Sequence, residues 1–147
     1  GESHARPRRA VRLYLDTSVL VPLFVAESRS RDANAGLVGQ NLYVSDLAAA
    51  EFSAAISTRV RTSEMTAADA LSLFATFDAW AEKAANRAQV EGADMAAALV
   101  LVRRPELALR MPDAANLAIA HRLGARVFTF DKKMAAAPAA LGLPVLT

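Results

Sequence analysis

The chain has 147 residues, 54% of them hydrophobic and 22% charged, with a formal net charge of +2 and no cysteine. This length and composition predict one globular domain over residues 1–147 and no membrane span. The lack of cysteine excludes disulfides, thiol catalysis and cysteine-ligated zinc, so a metal site has to use oxygen or histidine ligands.

The N-terminal segment is polar and basic. Residues 1–4 resemble the remnant of an expression tag and are set aside for fold prediction. The residues that follow, including Arg8 and Arg9, do not resemble a secretory signal, so we expect a cytoplasmic protein. Arginine provides most of the 17 basic residues and suits phosphate contacts, but a genome rich in G and C also raises arginine and alanine together. The charge therefore permits a nucleic-acid partner without indicating one.

The first predicted element is a buried strand over residues 11–15, which ends at Asp16. Thr17 or Ser18 is expected to cap the helix that follows, with Pro22 in its first turn. Asp16 then lies at the carboxyl end of a strand, where open α/β sheets bind their ligands. Taken alone, it also fits a capping or turn residue.

The next segments predict a helix, a strand and a longer helix. Residues 27–40 are polar and predict a short helix and a turn, and residues 42–45 predict a second strand. Ser45 or Asp46 is expected to cap the longer helix, whose apolar stripe leaves Glu51 at the edge of its buried face. Taken alone, Glu51 also fits a solvated helix residue.

Two further helices and a weak strand follow. Thr66 is expected to cap a helix whose apolar positions extend to Trp80 and indicate core packing or a partner groove. A weak strand is expected at residues 88–91, and a helix at residues 92–102. Asp94 falls in the first turn of that helix, where the helix dipole explains an acid.

The last third of the chain contains two more acids. Pro112 at the start of a helix places Asp113 in its first turn, where the dipole also explains an acid, with Asn116 on the same face one turn later. Residues 126–130 predict a strand that ends on Asp131. A short alanine-rich helix, a turn at Pro138 and a last strand at residues 143–146 complete an α/β pattern with parallel strands.

Strand ends and following helix starts share one edge of a parallel sheet, so the acids are expected to converge there. The acids are Asp16, Glu51, Asp113 and Asp131. Neighbouring carboxylates repel one another, so either a proton or a cation has to neutralise them. Mg²⁺ or Mn²⁺ prefers oxygen ligands, and a site of this kind hydrolyses phosphodiesters.

Other polar side chains are expected around these acids. Hydroxyl and amide groups that could hydrogen-bond the acids or their waters are Thr17, Ser18, Asn116 and Thr129. Basic residues that could guide a polyanion to the site are Arg110, Lys132 and Lys133. Asp46 also follows a strand, but its position is explained by the helix that begins there.

Together, four segments resemble the PIN domain family in the compact form of VapC-type toxins: LDTSVLVPLF, SDLAAAEF, LRMPDAANLAIA and VFTFDKKM. The resemblance covers residues 12–145. It implies a three-layer α/β/α sandwich around a short-stranded parallel sheet, and a Mg²⁺- or Mn²⁺-dependent endoribonuclease. It also implies that the catalytic and metal-binding residues are Asp16, Glu51, Asp113 and Asp131, supported by Thr17 or Ser18 and by Asn116.

The resemblance implies partners as well. VapC-type proteins act on RNA and inhibit translation or growth when free, pair as homodimers, and are silenced by a cognate VapB-type antitoxin whose C-terminal segment wraps the toxin. The helices over residues 52–60 and 71–80 are where we expect the groove for that segment. No membrane partner is implied.

Two alternatives stand beside this interpretation. One is a PIN nuclease of RNA processing outside toxin–antitoxin systems. The other is an α/β regulatory or binding module whose acids hold a structural ion, but receivers carry paired early acids and Asp16 has no acidic neighbour. A haloacid-dehalogenase-like phosphatase needs a second Asp two positions after the first, where this chain has Ser18.

Overall fold

The computed structural model describes residues 11–140, 145 and 146. Arg8, Arg9 and the first two residues of the predicted strand at 143–146 lie outside that part of the chain. The strands are β1 (Arg12–Leu15), β2 (Asn41–Ser45), β3 (Ala85–Ala88), β4 (Arg126–Phe128) and β5 (Val145–Leu146). The helices are α1 (Thr17–Phe24), α2 (Ser30–Leu37), α3 (Asp46–Arg61), α4 (Ala67–Ala84), α5 (Gly92–Val102), α6 (Met111–Arg122) and α7 (Lys132–Ala140), with a 3-10 turn at Pro105–Leu107.

The strands form one parallel sheet in the order β3-β2-β1-β4-β5. The chain leaves β1 toward β2 and β3 on one side and returns to β4 and β5 on the other. The strand order therefore reverses between β1 and β4. The carboxyl ends of the strands at such a switch point form the crevice where α/β sheets bind ligands.

Helices cover both faces of the sheet and form a core on each face. The side chains of β1 alternate between these two cores. Leu13 and Leu15 face a core built with α1 to α4, and Tyr14 faces a second core built with α6 and α7. All three side chains are fully buried. The predicted three-layer α/β/α sandwich with a parallel sheet is confirmed.

Aromatic packing holds the first helical layer together. Phe52 of α3 stacks on Phe77 of α4 with ring centroids 4.3 Å apart, and Phe24 of α1 packs edge-on against both. The apolar stripe of α4 therefore serves partly as core. Leu71, at the other end of the helix, is 70% exposed.

The second helical layer contains an ion pair between the buried Asp94 and the more exposed Arg122. Arg122 of α6 donates through Nε to Asp94 Oδ1 at 2.8 Å and through Nη2 to Asp94 Oδ2 at 2.9 Å. Asp94 Oδ2 also accepts from the backbone N–H of Glu91 at 2.9 Å. Burial acts to raise the pKa of Asp94, but the hydrogen bonds from Arg122 and Glu91 outweigh it and lower the pKa. Asp94 thus ties α5 to α6, a role beyond the dipole effect expected from its position.

Two predicted strand boundaries are wrong. Strand β3 lies at Ala85–Ala88, because Asn86 Nδ2 bonds Asn41 Oδ1 and Leu42 O of β2, while Glu91 serves as the N-cap of α5. Strand β4 ends at Phe128, because side-chain hydroxyl groups capture the next backbone N–H groups.

The two proline predictions also need correction. Pro22 lies inside α1, beyond its first turn, because α1 begins at Thr17, earlier than expected. Pro138 lies inside α7 instead of forming a turn. No helix in the described ranges has the length and apolar character needed to cross a bilayer.

Candidate active site

Asp16 lies at the end of β1, at the switch point of the sheet, and is 5% exposed. Its Oδ2 atom accepts hydrogen bonds from Ser18 Oγ at 2.7 Å, Thr129 Oγ1 at 2.9 Å and the Ser18 backbone N–H at 3.3 Å. Asp16 is therefore itself the N-cap of α1, and the prediction that Thr17 or Ser18 caps this helix is wrong. Its Oδ1 atom accepts no hydrogen bond from the described residues, so one oxygen is left for a ligand.

Glu51 of α3 is half-buried and faces α6. Its Oε1 atom accepts a hydrogen bond from Asn116 Nδ2 at 2.6 Å. Asn116 is fully buried, and its Nδ2 also donates to the Pro112 carbonyl at 2.8 Å. Asn116 therefore holds one oxygen of Glu51 and connects the carboxylate to the start of α6.

A buried hydrogen-bond chain lies behind Asn116. The Tyr14 hydroxyl donates to Asn116 Oδ1 and lies 2.6 Å from Ser45 Oγ, which accepts from the Ala48 backbone N–H at 3.0 Å. Burial raises the pKa of Tyr14 far above its usual value, so the phenol is neutral at physiological pH. This role of Tyr14 was not predicted from the sequence. The sequence did contain a signal, because a tyrosine hydroxyl on a buried strand needs a hydrogen-bond partner.

Asp113 lies in the first turn of α6 and is 8% exposed. The Arg110 guanidinium is its nearest cation, with Nε 3.5 Å from Asp113 Oδ2. The Arg110 side chain is 78% exposed and is therefore only loosely held. The predicted flanking position of Arg110 agrees with this contact.

Asp131 lies at the start of α7 and acts as its cap. Its Oδ1 atom accepts from the backbone N–H groups of Lys133 at 2.9 Å and Met134 at 3.1 Å. The charge of Asp131 acts on Asp113 and helps to raise its pKa. Asp131 is thus at the edge of the group, with one oxygen already used in helix capping.

The carboxylates of Asp16, Glu51 and Asp113 repel one another electrostatically. We call these three residues the acid site. Burial raises the pKa of Glu51, the charges of Asp16 and Asp113 raise it further, and the Asn116 hydrogen bond and Arg110 oppose the change. Burial likewise raises the pKa of Asp113, with Asp131 and Asp16 adding to it and Arg110 opposing. These carboxylates thus lie within electrostatic range of one another.

The acid site offers oxygen donors of the type that Mg²⁺ and Mn²⁺ prefer. A divalent cation would relieve the repulsion that raises the pKa of Glu51 and Asp113. As they stand, no three acidic or histidine side chains in the described ranges are close enough to hold a metal ion. The residues therefore fit a hard cation by donor type and charge, and their side chains would have to draw together around it.

The other predicted site residues differ in what they contact. Ser18 and Thr129 bond Asp16, and their hydroxyl oxygens lie 3.1 Å apart. Thr17 bonds no acid among the described residues, and its hydroxyl donates to the Ala48 carbonyl at 3.5 Å. Asp46, the rival acid after β2, forms an exposed pair with Arg87 Nε at 2.7 Å.

The family model for the PIN domain matches residues 13–140, which include all the acids described above. The chain belongs to the PIN domain family. The resemblance to the PIN domain family found in the sequence is thereby confirmed. Comparison with curated protein sequences gave no match.

Solved structures share the fold of this PIN domain. VapC20 from Mycobacterium tuberculosis, a sarcin–ricin loop cleaving toxin, matches with a TM-score of 0.68 at 19% identity over 85% of this chain and 94% of its own. VapBC2 from Rickettsia felis, bound to a DNA fragment from its promoter, matches with a TM-score of 0.67 at 13% identity over 92% and 98%. FitAcB from Neisseria gonorrhoeae matches with a TM-score of 0.66 at 14% identity over 92% and 96%. These similarities establish a shared PIN architecture over nearly the whole chain.

Proposed function

We propose that this PIN domain is a Mg²⁺- or Mn²⁺-dependent endoribonuclease that hydrolyses RNA phosphodiester bonds. The observation that carries the proposal is that Asp16, Glu51 and Asp113 lie within electrostatic range of one another at the carboxyl edge of the sheet, where burial and mutual repulsion favour a bound cation. Membership of the PIN domain family supports the same activity.

Each residue of the proposed active site has a distinct task. In such sites a divalent ion supplies an activated water and neutralises charge on the phosphate. Ser18 and Thr129 hold one oxygen of Asp16, and Asn116 holds one oxygen of Glu51, so that the remaining oxygens would be left to hold the ion. Arg110 lies beside Asp113. Because its side chain is exposed, its guanidinium can turn toward a substrate phosphate.

We further propose that the nuclease is the toxin of a VapBC-type toxin–antitoxin pair and inhibits translation or growth when free. Its structural neighbours VapC20 and VapBC2, a toxin and a complex bound to promoter DNA, support this role. The partners are then RNA as the substrate, a cognate VapB-type antitoxin, and a second copy of the chain in a homodimer.

The first experiment tests cleavage of a mixed cellular RNA pool with Mg²⁺, with Mn²⁺ or with a chelator. We expect discrete, metal-dependent products from the wild type and a loss of about 100-fold or more in Asp113→Asn, because that change removes a charge from the acid site. Asp46→Asn is the matched control and should cleave like the wild type, since Asp46 pairs with Arg87 on the surface.

Two outcomes would contradict the proposal. Equal cleavage by the wild type and Asp113→Asn, prepared identically, would mean that a contaminant cuts the RNA and that the acid site does not. Loss of cleavage in Asp46→Asn but not in Glu51→Gln would show that Asp46, and not Glu51, is the active-site acid that follows β2.

The toxin role is tested by induced expression in a bacterial host. Wild-type protein is expected to arrest growth, and Asp113→Asn is expected to be harmless at the same level of protein. The antitoxin is sought in the reading frames beside this gene, and its coexpression is expected to restore growth and to give a complex that copurifies with the wild type. Growth arrest that persists in Asp113→Asn would argue against toxicity through RNA cleavage.

A further inference from the structure

A cavity of about 430 Å³ lies between α2, the end of β4 and the start of α7. Six of the residues that line this α2 cavity are Arg29, Gly36, Phe128, Thr129, Phe130 and Lys132. Its volume falls within the range of about 300–1,000 Å³ that is typical of small-molecule sites. None of the functions assigned above uses this space.

The α2 cavity borders the acid site through Thr129. Thr129 lines the cavity and donates from Oγ1 to Asp16 Oδ2 at 2.9 Å. Asp131 also lines it, and its backbone N–H donates to Thr129 Oγ1 at 3.0 Å. A polynucleotide with one phosphate at the acid site would therefore reach the α2 cavity with a neighbouring nucleotide.

The wall of the α2 cavity carries a flat stacking surface. The Arg29 guanidinium lies 4.2 Å from the centroid of the Phe130 ring, and Asp32 Oδ2 lies 3.4 Å from Arg29 Nη1. The ring of Phe128 packs edge-on against Phe130 with centroids 5.4 Å apart. The Arg29 side chain is 52% exposed, so part of it is accessible to another planar ring.

Close packing of α2 fixes this arrangement. A Cβ atom on Gly36 would lie 2.3 Å from Phe128 Cε2, so glycine allows the helix to approach β4 more closely than other residues would. Arg29 is the N-cap residue of the same helix. The approach of α2 to β4 therefore keeps Arg29 beside Phe130.

We propose that the α2 cavity is a subsite for single-stranded RNA, in which Arg29 and Phe130 stack the base of a nucleotide next to the scissile phosphate. RNA-binding proteins stack unpaired bases on aromatic rings and guanidinium planes, and a base inside a duplex cannot enter such a site. Lys132 on the rim supplies a positive charge for the adjoining phosphate. This inference rests on the proposed ribonuclease function for the identity of the polymer.

Binding is tested without cleavage, in the presence of a chelator, with 2-aminopurine riboside 5′-monophosphate, whose fluorescence falls when its base stacks. Arg29→Lys keeps the positive charge but loses the plane, so we expect its affinity for the probe to fall by about 5- to 100-fold. Arg61→Lys is the matched control, because Arg61 bonds only Ser57 and Thr58 on α3 among the described residues. Circular dichroism and thermal unfolding check that the variants fold.

The outcomes separate the subsite from other uses of the cavity. Quenching that Arg29→Lys weakens and Arg61→Lys preserves supports the stacking subsite. Equal affinity in wild type and Arg29→Lys, or equal weakening in both variants, overturns it. Wild-type protein that does not bind the probe at millimolar concentration also overturns it and leaves the cavity to a protein segment such as an antitoxin tail.

Cleavage kinetics separate this inference from the proposed function. With a single-stranded RNA and Mg²⁺, Arg29→Lys is expected to raise KM more than it lowers kcat. If the wild type binds the probe through Arg29 but cleaves no RNA, the ribonuclease proposal fails and the base-stacking site stands. If the wild type cleaves RNA and Arg29→Lys changes neither probe affinity nor KM, the subsite fails and the ribonuclease proposal stands.

Discussion

At the scale of single residues, the amide of Asn116 has only one orientation that satisfies its neighbours. Its Oδ1 atom can only accept, so the Tyr14 hydroxyl must donate to it and accept in turn from Ser45. The Nδ2 group then faces Glu51 Oε1 at 2.6 Å. Tyr14 therefore positions the Glu51 carboxylate through Asn116, although it touches neither Glu51 nor a substrate.

Removal of the Tyr14 hydroxyl should weaken the proposed active site while leaving the fold intact. In Tyr14→Phe the Asn116 amide loses the donor that orients it, so Glu51 is less well held. We expect Mn²⁺ affinity, kcat or both to fall by about 10-fold, the lower end for residues that support metal ligands. Calorimetry with Mn²⁺ and steady-state cleavage, both well below the unfolding temperature, measure the two effects.

Tyr43→Phe is the control for this change. Tyr43 lies on the neighbouring strand β2 and contacts Arg12, whose guanidinium carbon is 5.8 Å from the ring centroid. Its hydroxyl has no role in the hydrogen-bond chain. Equal Mn²⁺ affinity in wild type and Tyr14→Phe would show that the chain is structural only.

Contacts between residues that are far apart in the sequence could not be predicted from it. Asp16 was predictable because a buried apolar run stops at it, and strand ends meet at one edge of a sheet. The partner of Tyr14 was not, since Asn116 is 102 positions away and only the folded chain brings the two together. The contact of Thr17 with the Ala48 carbonyl was missed for the same reason.

At the scale of elements, the fit of α2 against β4 depends on the absence of a side chain at Gly36. The nearest atoms to an added Cβ are Phe128 Cε2 at 2.3 Å and Phe128 Cζ at 2.5 Å, and the Phe128 ring is buried. Neither α2 nor the ring can accommodate this contact without moving. The helix and the strand are thus held at a distance that only glycine allows.

Gly36→Ala is therefore expected to lower the free energy of unfolding by about 1–3 kcal/mol, the usual cost of overpacking. Gly92→Ala is the matched control, because no atom lies within 4 Å of the added Cβ, and its effect should stay within about 1 kcal/mol. Urea unfolding measures both. Equal stability of Gly36→Ala and wild type would show that α2 can move away from β4 at no cost.

Helices were easier to predict than strands for a physical reason. Thr66 and Ser45 are capping residues next to apolar stripes, so the starts of α4 and α3 could be predicted from local sequence. Strand β3 has the sequence ANRA, which lacks the apolar alternation of a strand. Its pairing with β2 depends on the sheet and on Asn86, so the sequence placed this strand too late in the chain.

At the scale of the whole molecule, the acid site reduces the stability of the metal-free protein. Burial and neighbouring charges raise the pKa of Glu51 and Asp113 above their values in the unfolded chain. The folded state then binds more protons than the unfolded state between the two pKa values of each group. Stability is greatest below the unfolded pKa and is lost as pH rises through the raised folded pKa.

Neutralising Glu51 should consequently stabilise the metal-free protein. Glu51→Gln keeps an oxygen that can accept from Asn116 and removes one repelling charge. In a chelator near neutral pH we expect its Tm to exceed that of the wild type by about 1–4 °C, and the difference should shrink as pH falls toward 4. Thermal unfolding at several pH values measures it.

Added Mg²⁺ or Mn²⁺ should reverse the order, because the cation stabilises the wild type through the charge that Glu51→Gln lacks. Glu82→Gln is the control, since Glu82 is exposed on α4 and has no contact with the acid site among the described residues. A wild type that is more stable than Glu51→Gln in the chelator would contradict the idea that the acid site is strained without a cation.

Strand β1 lies in the middle of the sheet and is therefore expected to be the last part of the molecule to unfold. It pairs with β2 on one side and β4 on the other, and the side chains of Leu13, Tyr14 and Leu15 are completely buried in the two cores. Its amides are therefore expected to exchange with deuterium most slowly, through global unfolding, whereas the edge strand β3 exchanges through smaller openings. Asp16 is attached to this most protected strand, so partial unfolding at the sheet edges leaves it in place. The other acids can separate from it and return to a fixed point.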